Sequence, residues 1–316
     1  MKKLFLYLKI LLSALILIFL FNKVGFKNIY TNLINFNILY LIPIIIIVAL
    51  IFILTNININ LLLGPLKKRI KFLTLLKYNG LVYAFSCFFP GRTGDLSMIY
   101  FLRKENIELG EGTVVFLLDR IISFTITSIL AIIGFFVFLP PSKGIYAILT
   151  LASLLAIGFF LLFNKTGNLL LKKFILRKMS ERFKGFRSTY SQFIRYHKKI
   201  LLLNMTLTFL KIILDSTVIF VLFSSFNTYI PITYIIIIRC MITLATLIPI
   251  TVNGLGIRES LSVFFYSLLG INSVTVVSVY TLLIIIRYSI ALFFILLFFN
   301  KKLKMSSMMS QSLKNT

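Results

Sequence analysis

The sequence predicts an all-α, polytopic integral membrane protein of about eight transmembrane helices, with one or two re-entrant helical hairpins in an inverted repeat. Three observations carry that prediction. Hydrophobic residues make up 59% of the 316 and charged residues 13%, against about 45–50% and about 25% in soluble domains. The apolar residues are gathered into runs of membrane length, with a mean hydropathy of +1.01. The 34 basic residues outnumber 8 acidic ones and mostly fall between those runs. A net charge of +26 in a soluble chain would point to nucleic acid. Here the apolar runs are too long for a nucleic-acid-binding domain, so no nucleic-acid partner is expected and the charges read as topology signals.

Residues 4–21 follow a basic start and form the first span, too long for a signal-peptide core and without a small-residue cleavage site. The second span covers about 38–62 and stops at Gly64-Pro65. A basic KKRIK stretch (67–71) precedes the apolar run 72–89, a break Pro90-Gly91-Arg92-Thr93-Gly94-Asp95, and a mixed segment to 111. Two long apolar helices at 112–139 and 145–163 are divided by PPSKG. A polar loop 164–199 leads to apolar runs at 200–224, 231–250, 254–270 and 273–299, and then to a basic tail. The whole of 1–316 reads as a single membrane domain.

Charge sets the orientation. The loop 164–199 carries 11 basic residues against Glu181 alone, and 67–77 carries five, whereas the opposing loops hold Lys23, Lys27 and Lys143. Both termini and both basic loops are therefore expected on the cytoplasmic side of a plasma membrane. If 164–199 is inside, helix 112–139 leaves from inside, so 64–71 and 90–111 lie on the same face. The run 72–89 then enters and returns as a re-entrant hairpin, with a full crossing as the alternative reading. Broken helices of this kind survive only where protein or a wet cavity covers them.

A similar punctuation recurs about 160 residues later. Both 88–121 and 248–289 contain a Pro-then-Gly break, a closing acid (Asp95, Glu259), a short aromatic helix, a turn into Thr-Val-Val, and an arginine in the next helix (Arg120, Arg287). Half-repeats at roughly 72–139 and 231–299 would enter from opposite faces and meet near the midplane. For 231–250 and 254–270, charge does not decide between a hairpin and two full crossings.

Ionisable residues inside the spans are expensive and need interior partners. Lys211 and Asp215 stand four apart on one helix and are expected to pair with each other. Asp119 and Arg120 are adjacent, so they point different ways and must reach other elements. Asp95 and Glu259 follow Gly94 and Gly256, where a carboxylate caps a restarting helix or serves a site. Arg92, Arg120, Arg258 and Arg287 stand at equivalent places in the two half-repeats, and a guanidinium fork holds phosphate oxygens bidentately. Restarting helices at Gly91, Gly94, Gly254 and Gly256 add an anion-attracting field. This chemistry fits a phosphate-bearing lipid head group. No catalytic constellation accompanies it: His197 is a basic-loop residue, Cys87 and Cys240 have no metal-type spacing, and no P-loop occurs. No cofactor and no metal are expected.

The Pro-Gly-Arg-x-Gly-Asp break, the Asp119-Arg120 pair and Gly254-Leu255-Gly256-Ile257-Arg258-Glu259 together resemble the membrane domain of the lysylphosphatidylglycerol synthase and flippase family, also called flippase-like or UPF0104-type proteins. The likeness spans roughly residues 5–300. It departs at Asn253, where a glycine is usual, and at Asp119, where Glu is commoner. The resemblance implies a protein that binds a polar, aminoacylated or glycosylated lipid and moves it between leaflets. Bifunctional members add a soluble aminoacyltransferase domain, and the chain ends about 16 residues after its last apolar run, so that domain and its enzyme activity are not expected. The alternatives are a lipid-modifying transferase, of lysylphosphatidylglycerol or polyprenyl-phosphate glycosyl type, using Asp95 and Glu259, or a membrane partner of a separate synthase or glycosyltransferase.

The basic loop itself generates a test. Its apolar residues alternate with lysines and arginines, as in a helix lying on an anionic leaflet, where each basic residue contributes about 1 kcal/mol. A peptide of residues 164–199 should gain circular-dichroism helicity on anionic vesicles and not on neutral ones; an equal response to both counts against the surface-helix reading.

Overall fold

The computed structural model describes residues 2–89, 94–140, 142, 144–145, 186–247 and 251–298. The expected span 145–163, most of the basic loop, Gly91, Arg92 and the tail lie largely or wholly outside them. The described residues form α-helices and short 3₁₀ turns, with no strand. In chain order these are α1 (Lys2–Val24), α2 (Phe26–Ile34), α3 (Leu41–Leu63), α4 (Phe72–Phe88), α5 (Ser97–Lys104) and α6 (Leu109–Phe138), then α7 (Phe186–Tyr196), α8 (Lys198–Ser224), α9 (Ile232–Ala245), α10 (Ile257–Ser267) and α11 (Ser273–Phe298). Five are long and apolar enough to cross a membrane: α1, α3 with its flanking turns, α6, α8 and α11. The chain is thus a polytopic helical membrane protein. Helix α2 lies where run lengths alone predict a loop: its nine residues are too short and too polar to register as a run, yet Ile29 packs with Leu20 and Val277.

The remaining apolar arms are short. At 1.5 Å per residue, the 17 residues of α4 reach about 25 Å and the 14 of α9 about 21 Å, less than a hydrocarbon core of about 30 Å. Each arm turns back instead. Lys68 Nζ, before α4, donates to the Asn106 carbonyl, after α5, at 3.1 Å. Tyr78 Oη donates to Glu105 Oε1 at 2.6 Å, and the Phe101 ring stacks on Tyr78. Helices α4 and α5 are therefore antiparallel, with entry and exit on one side, as the parity of the basic loops predicts.

The second break behaves alike. Phe138, at the end of α6, touches both Tyr234 at the start of α9 and Phe265 at the end of α10. These arms also lie antiparallel, with their outer ends at one end of α6. The first hairpin opens beside the start of α6, where Glu108 and Glu111 form a reciprocal capping box. The second opens beside its end. The two hairpins thus point toward each other from opposite ends of a helix of about 45 Å.

The two largest apolar clusters among the described residues follow the hairpins. One gathers Leu75, Leu81, Phe101 and Val114 around the first hairpin. The other gathers Ile235, Ile238, Met241 and Tyr266 around the second. In lipid there is little hydrophobic force between helices, so close backbone approach supplies the attraction. Gly80 lies under the Phe294 ring of α11, and Gly134 under Ile237 and Met241 of α9; a Cβ at either would fall within 2.4 Å of those side chains.

Polar ties add to this. The NININ run of α3 places Asn56 and Asn60 about 40° apart and Asn58 on the opposite side. Asn56 accepts from Asn79 of α4, while Asn60 bonds both backbone groups of Ile70. Asn58, fully buried, donates to Asp119 Oδ1 (3.0 Å) and Thr208 Oγ1 (3.2 Å) and accepts from Asn204 (2.7 Å). One asparagine so binds α3, α6 and α8 together, and supplies the partner that Asp119 requires.

Single cysteines replacing Arg69 and Lys104 should be labelled by an impermeant reagent from the same face of the membrane; the native Cys87 and Cys240 are buried. Labelling from opposite faces contradicts the hairpin. At its tip, a Cβ on Gly94 would sit 2.3 Å from the Phe85 carbonyl carbon. Gly94→Ala should therefore cost about 3 kcal/mol or more, at the upper end for overpacking, and lower the thermal midpoint sharply. Gly64→Ala, which meets nothing within 4 Å, serves as the neutral control.

Candidate functional site: an arginine-lined cavity between the hairpins

The two tips are built differently. At the second, Asn253, Gly254 and Gly256 all adopt left-handed conformations (φ 52°, 77° and 84°). Asparagine is the non-glycine residue that best tolerates this region, which is how Asn253 stands where a glycine is usual. Two glycines and an asparagine let the chain double back and restart as α10. The carboxylate of Glu259, 2% exposed, then caps the new helix by accepting from the Gly256 N–H at 2.6 Å. Ser13 Oγ of α1 accepts from the Val252 N–H at 3.0 Å and holds the tip from the other side.

At the first tip, Asp95 accepts from Ser86 Oγ and forms an ion pair with Arg120 Nη1 at 3.2 Å. Arg120 also lies over the Phe116 ring and only 3.9 Å from Asp119 through Nε. The adjacent Asp119 is thus a secondary partner of Arg120, as its position around the helix requires. Arg120 belongs to this tip and does not join the other arginines; Gly91 and Arg92 lie outside the described residues.

Between the tips lies a cavity of about 160 Å³ walled by α3, α4, α8, α9, α10 and α11. Arg258 and Arg287, two of the residues singled out by sequence, line it together. Arg239 is the third guanidinium in the wall, with Asp215, Tyr83 and Tyr280 beside it. Among the described residues Arg287 has no hydrogen-bond or ion-pair partner. The wall therefore holds three positive charges, one of them at the start of a restarted helix, and one negative charge, among the hydroxyls of Tyr83, Thr243 and Tyr280 and aliphatic side chains.

Asp215 corrects one expectation. Its partner is Arg239 of α9, with Nη2 donating to Oδ2 at 2.5 Å, and not Lys211 one turn away. The physical reason is the relative cost. A same-helix pair contributes roughly 0.3–0.5 kcal/mol, whereas a lone arginine in the membrane costs about 2.5–3.5 kcal/mol by insertion scales. Satisfying Arg239 outweighs satisfying the lysine, whose long stem can carry its charge elsewhere.

Arg239 was not among the residues assigned to the site from sequence. Its signal was the expense of an arginine in the middle of the run 231–250. Tyr83 and Tyr280 gave no signal, since tyrosines at helical spacing in an apolar run are ordinary core residues.

Forked donors beside a helix N-terminus give the cavity wall a chemistry suited to anions; among the described residues no cluster suited to a metal occurs. No curated protein and no solved structure matches the chain. A family model described as the lysylphosphatidylglycerol synthase TM region matches residues 6–299. Since that match covers nearly the whole chain, the protein belongs to the lysylphosphatidylglycerol synthase transmembrane-region family.

Proposed function

We propose that this protein binds the head group of a phosphate-bearing lipid in the cavity between its hairpins and moves it between leaflets. The observation that carries this reading is Arg287: a guanidinium in the cavity wall with no hydrogen-bond or ion-pair partner among the described residues, beside Arg258 and Arg239. A membrane interior tolerates such a charge when a ligand or water supplies what the protein does not. A phosphate held by two or three forked donors satisfies that demand, while the acyl chains stay in the surrounding lipid.

The hairpins supply the path. They open toward opposite ends of α6 and belong to half-repeats at about 72–139 and 231–299, the arrangement in which one hairpin yields at a time around a fixed site. The chain matches the membrane region of the family, and in this reading its lipid is one that a synthase or glycosyltransferase has aminoacylated or glycosylated. In this reading both termini face the cytoplasm of a plasma membrane, where the basic segments meet anionic lipid.

The test is translocation of fluorescent phospholipids in vesicles, normalised to folded protein. Arg258→Lys and Arg287→Lys keep the charge and lose the fork, so each should lower translocation at least about tenfold, or ~1.4 kcal/mol, with thermal stability near that of the parent. Arg120→Lys should act chiefly on folded yield, because Arg120 is committed to Asp95. Unchanged normalised translocation in both cavity variants overturns the proposal.

A further inference from the structure

The Asp215–Arg239 ion pair is unlike a structural one. Its side chains retain 39% and 26% of their exposure, and both belong to the cavity wall. A pair that served only to bury two charges would be sealed, since exposure to the cavity forfeits the low dielectric that makes it strong. It also joins two different kinds of element: α8, a crossing helix packed along α3, and α9, the entering arm of the second hairpin. A third group stands in reserve. Lys211 lies one turn before Asp215 on α8, within side-chain reach by helix geometry, and has no hydrogen bond or ion pair among the described residues.

We propose that Asp215 is a built-in competitor for the lipid phosphate: it holds Arg239 until a head group enters, then yields it to the phosphate and passes to Lys211. The inference rests on the phosphate reading of the cavity and adds a second state to it. A phosphate presents more acceptor oxygens than a carboxylate, so it engages Arg239 together with Arg258 and Arg287, which Asp215 alone does not bridge. The carboxylate left behind is not stranded, because Lys211 supplies the same-helix pair that the sequence by itself suggests. The exchange has three consequences. It lowers net affinity, because the ligand must displace an existing acceptor, and it favours release, because Asp215 returns to Arg239 as the phosphate departs. It also loosens the Asp215–Arg239 ion pair, the one between α8 and α9 among the described residues, when the site fills, so binding and movement of the second hairpin are coupled.

The experiment uses full-length protein in maltoside micelles, which carry no phosphate, with dihexanoyl-phosphatidylglycerol as probe and inorganic phosphate alongside. The chain has three aspartates, Asp95, Asp119 and Asp215, so 13C-aspartate labelling gives three carboxylate signals, and Asp215→Glu assigns the third while keeping its charge. The expected result is that the probe shifts the Asp215 signal at saturation and that Asp215→Asn binds it about tenfold more tightly while translocating more slowly. Lys211→Gln should slow translocation with little change in binding. A still Asp215 signal at saturation, or unaltered or weaker binding in a folded Asp215→Asn protein, overturns the exchange. Should Asp215→Asn not accumulate, the carboxylate signal in the unaltered protein decides alone. Arg287→Lys separates the two levels: binding that ignores Arg287 removes the phosphate site itself, whereas binding that needs Arg287 and leaves Asp215 still removes only the competitor. Equal affinity for inorganic phosphate and the lipid overturns the lipid as the source of the phosphate.

Discussion

Hydrocarbon offers no hydrogen bond and no counter-charge, so a polar group this chain carries into the membrane needs a partner from the protein, from a ligand or from water. That constraint accounts for the ties between elements distant in sequence. Asp119 leans on Asn58 of α3, Arg120 on Asp95, Arg239 on Asp215, and the free N–H at Gly256 on Glu259. Remove these and the remaining contacts are aliphatic and aromatic surfaces that lipid tails match almost as well. The polar ties therefore set which helices neighbour one another, and the glycine contacts at positions 80 and 134 set how closely.

The same constraint gives the cavity its meaning. Two hairpins stop short of crossing and leave backbone and charge at their tips, which other helices must cover. The coverage differs at the two ends. At the first tip the charges are internally matched, Asp95 with Arg120. At the second, the capping carboxylate is held by the Gly256 N–H, and the cavity wall sets three guanidinium groups against the single carboxylate of Asp215. The surplus of donors, and not the fold itself, is the argument for an anionic ligand; a fold of this kind could be filled by protein alone.

Much of this was legible in the sequence, for identifiable reasons. Long apolar runs and asymmetric loops give α1, α3, α6, α8 and α11 directly, and the inside-inside parity of 64–71 and 90–111 gives the first hairpin, because charge counts and chain direction are both one-dimensional. Gly254, Gly256 and Glu259 announced the second break, since left-handed backbone and a free helix start each demand a specific residue type. Partners across helices were less legible. Lys211 is the nearest opposite charge to Asp215 along the chain, but spacing on one helix says nothing of what a second helix presents, and α9 presents Arg239. The matched arginines misled for the same reason: equivalent positions in two half-repeats become different environments once Arg120 finds Asp95. Helix α2 and the asparagine hub at Asn58 escaped because neither is an apolar run, although three asparagines inside one such run were a signal of interior contacts. The last part of the basic loop also differs from a purely lipid-facing helix, since α7 buries Phe193 among Leu102 and Val114 of the bundle.

The central claim is that the cavity between the hairpins holds a lipid phosphate. Cryo-electron microscopy of the protein in nanodiscs of anionic phospholipid tests it most directly. The account predicts head-group density inside the cavity, in hydrogen-bonding contact with the guanidinium groups of Arg258 and Arg287, with its acyl chains leaving between helices. Lipid density confined to the outer annulus or to the Arg120–Asp95 tip, with the cavity closed by side chains, would contradict it.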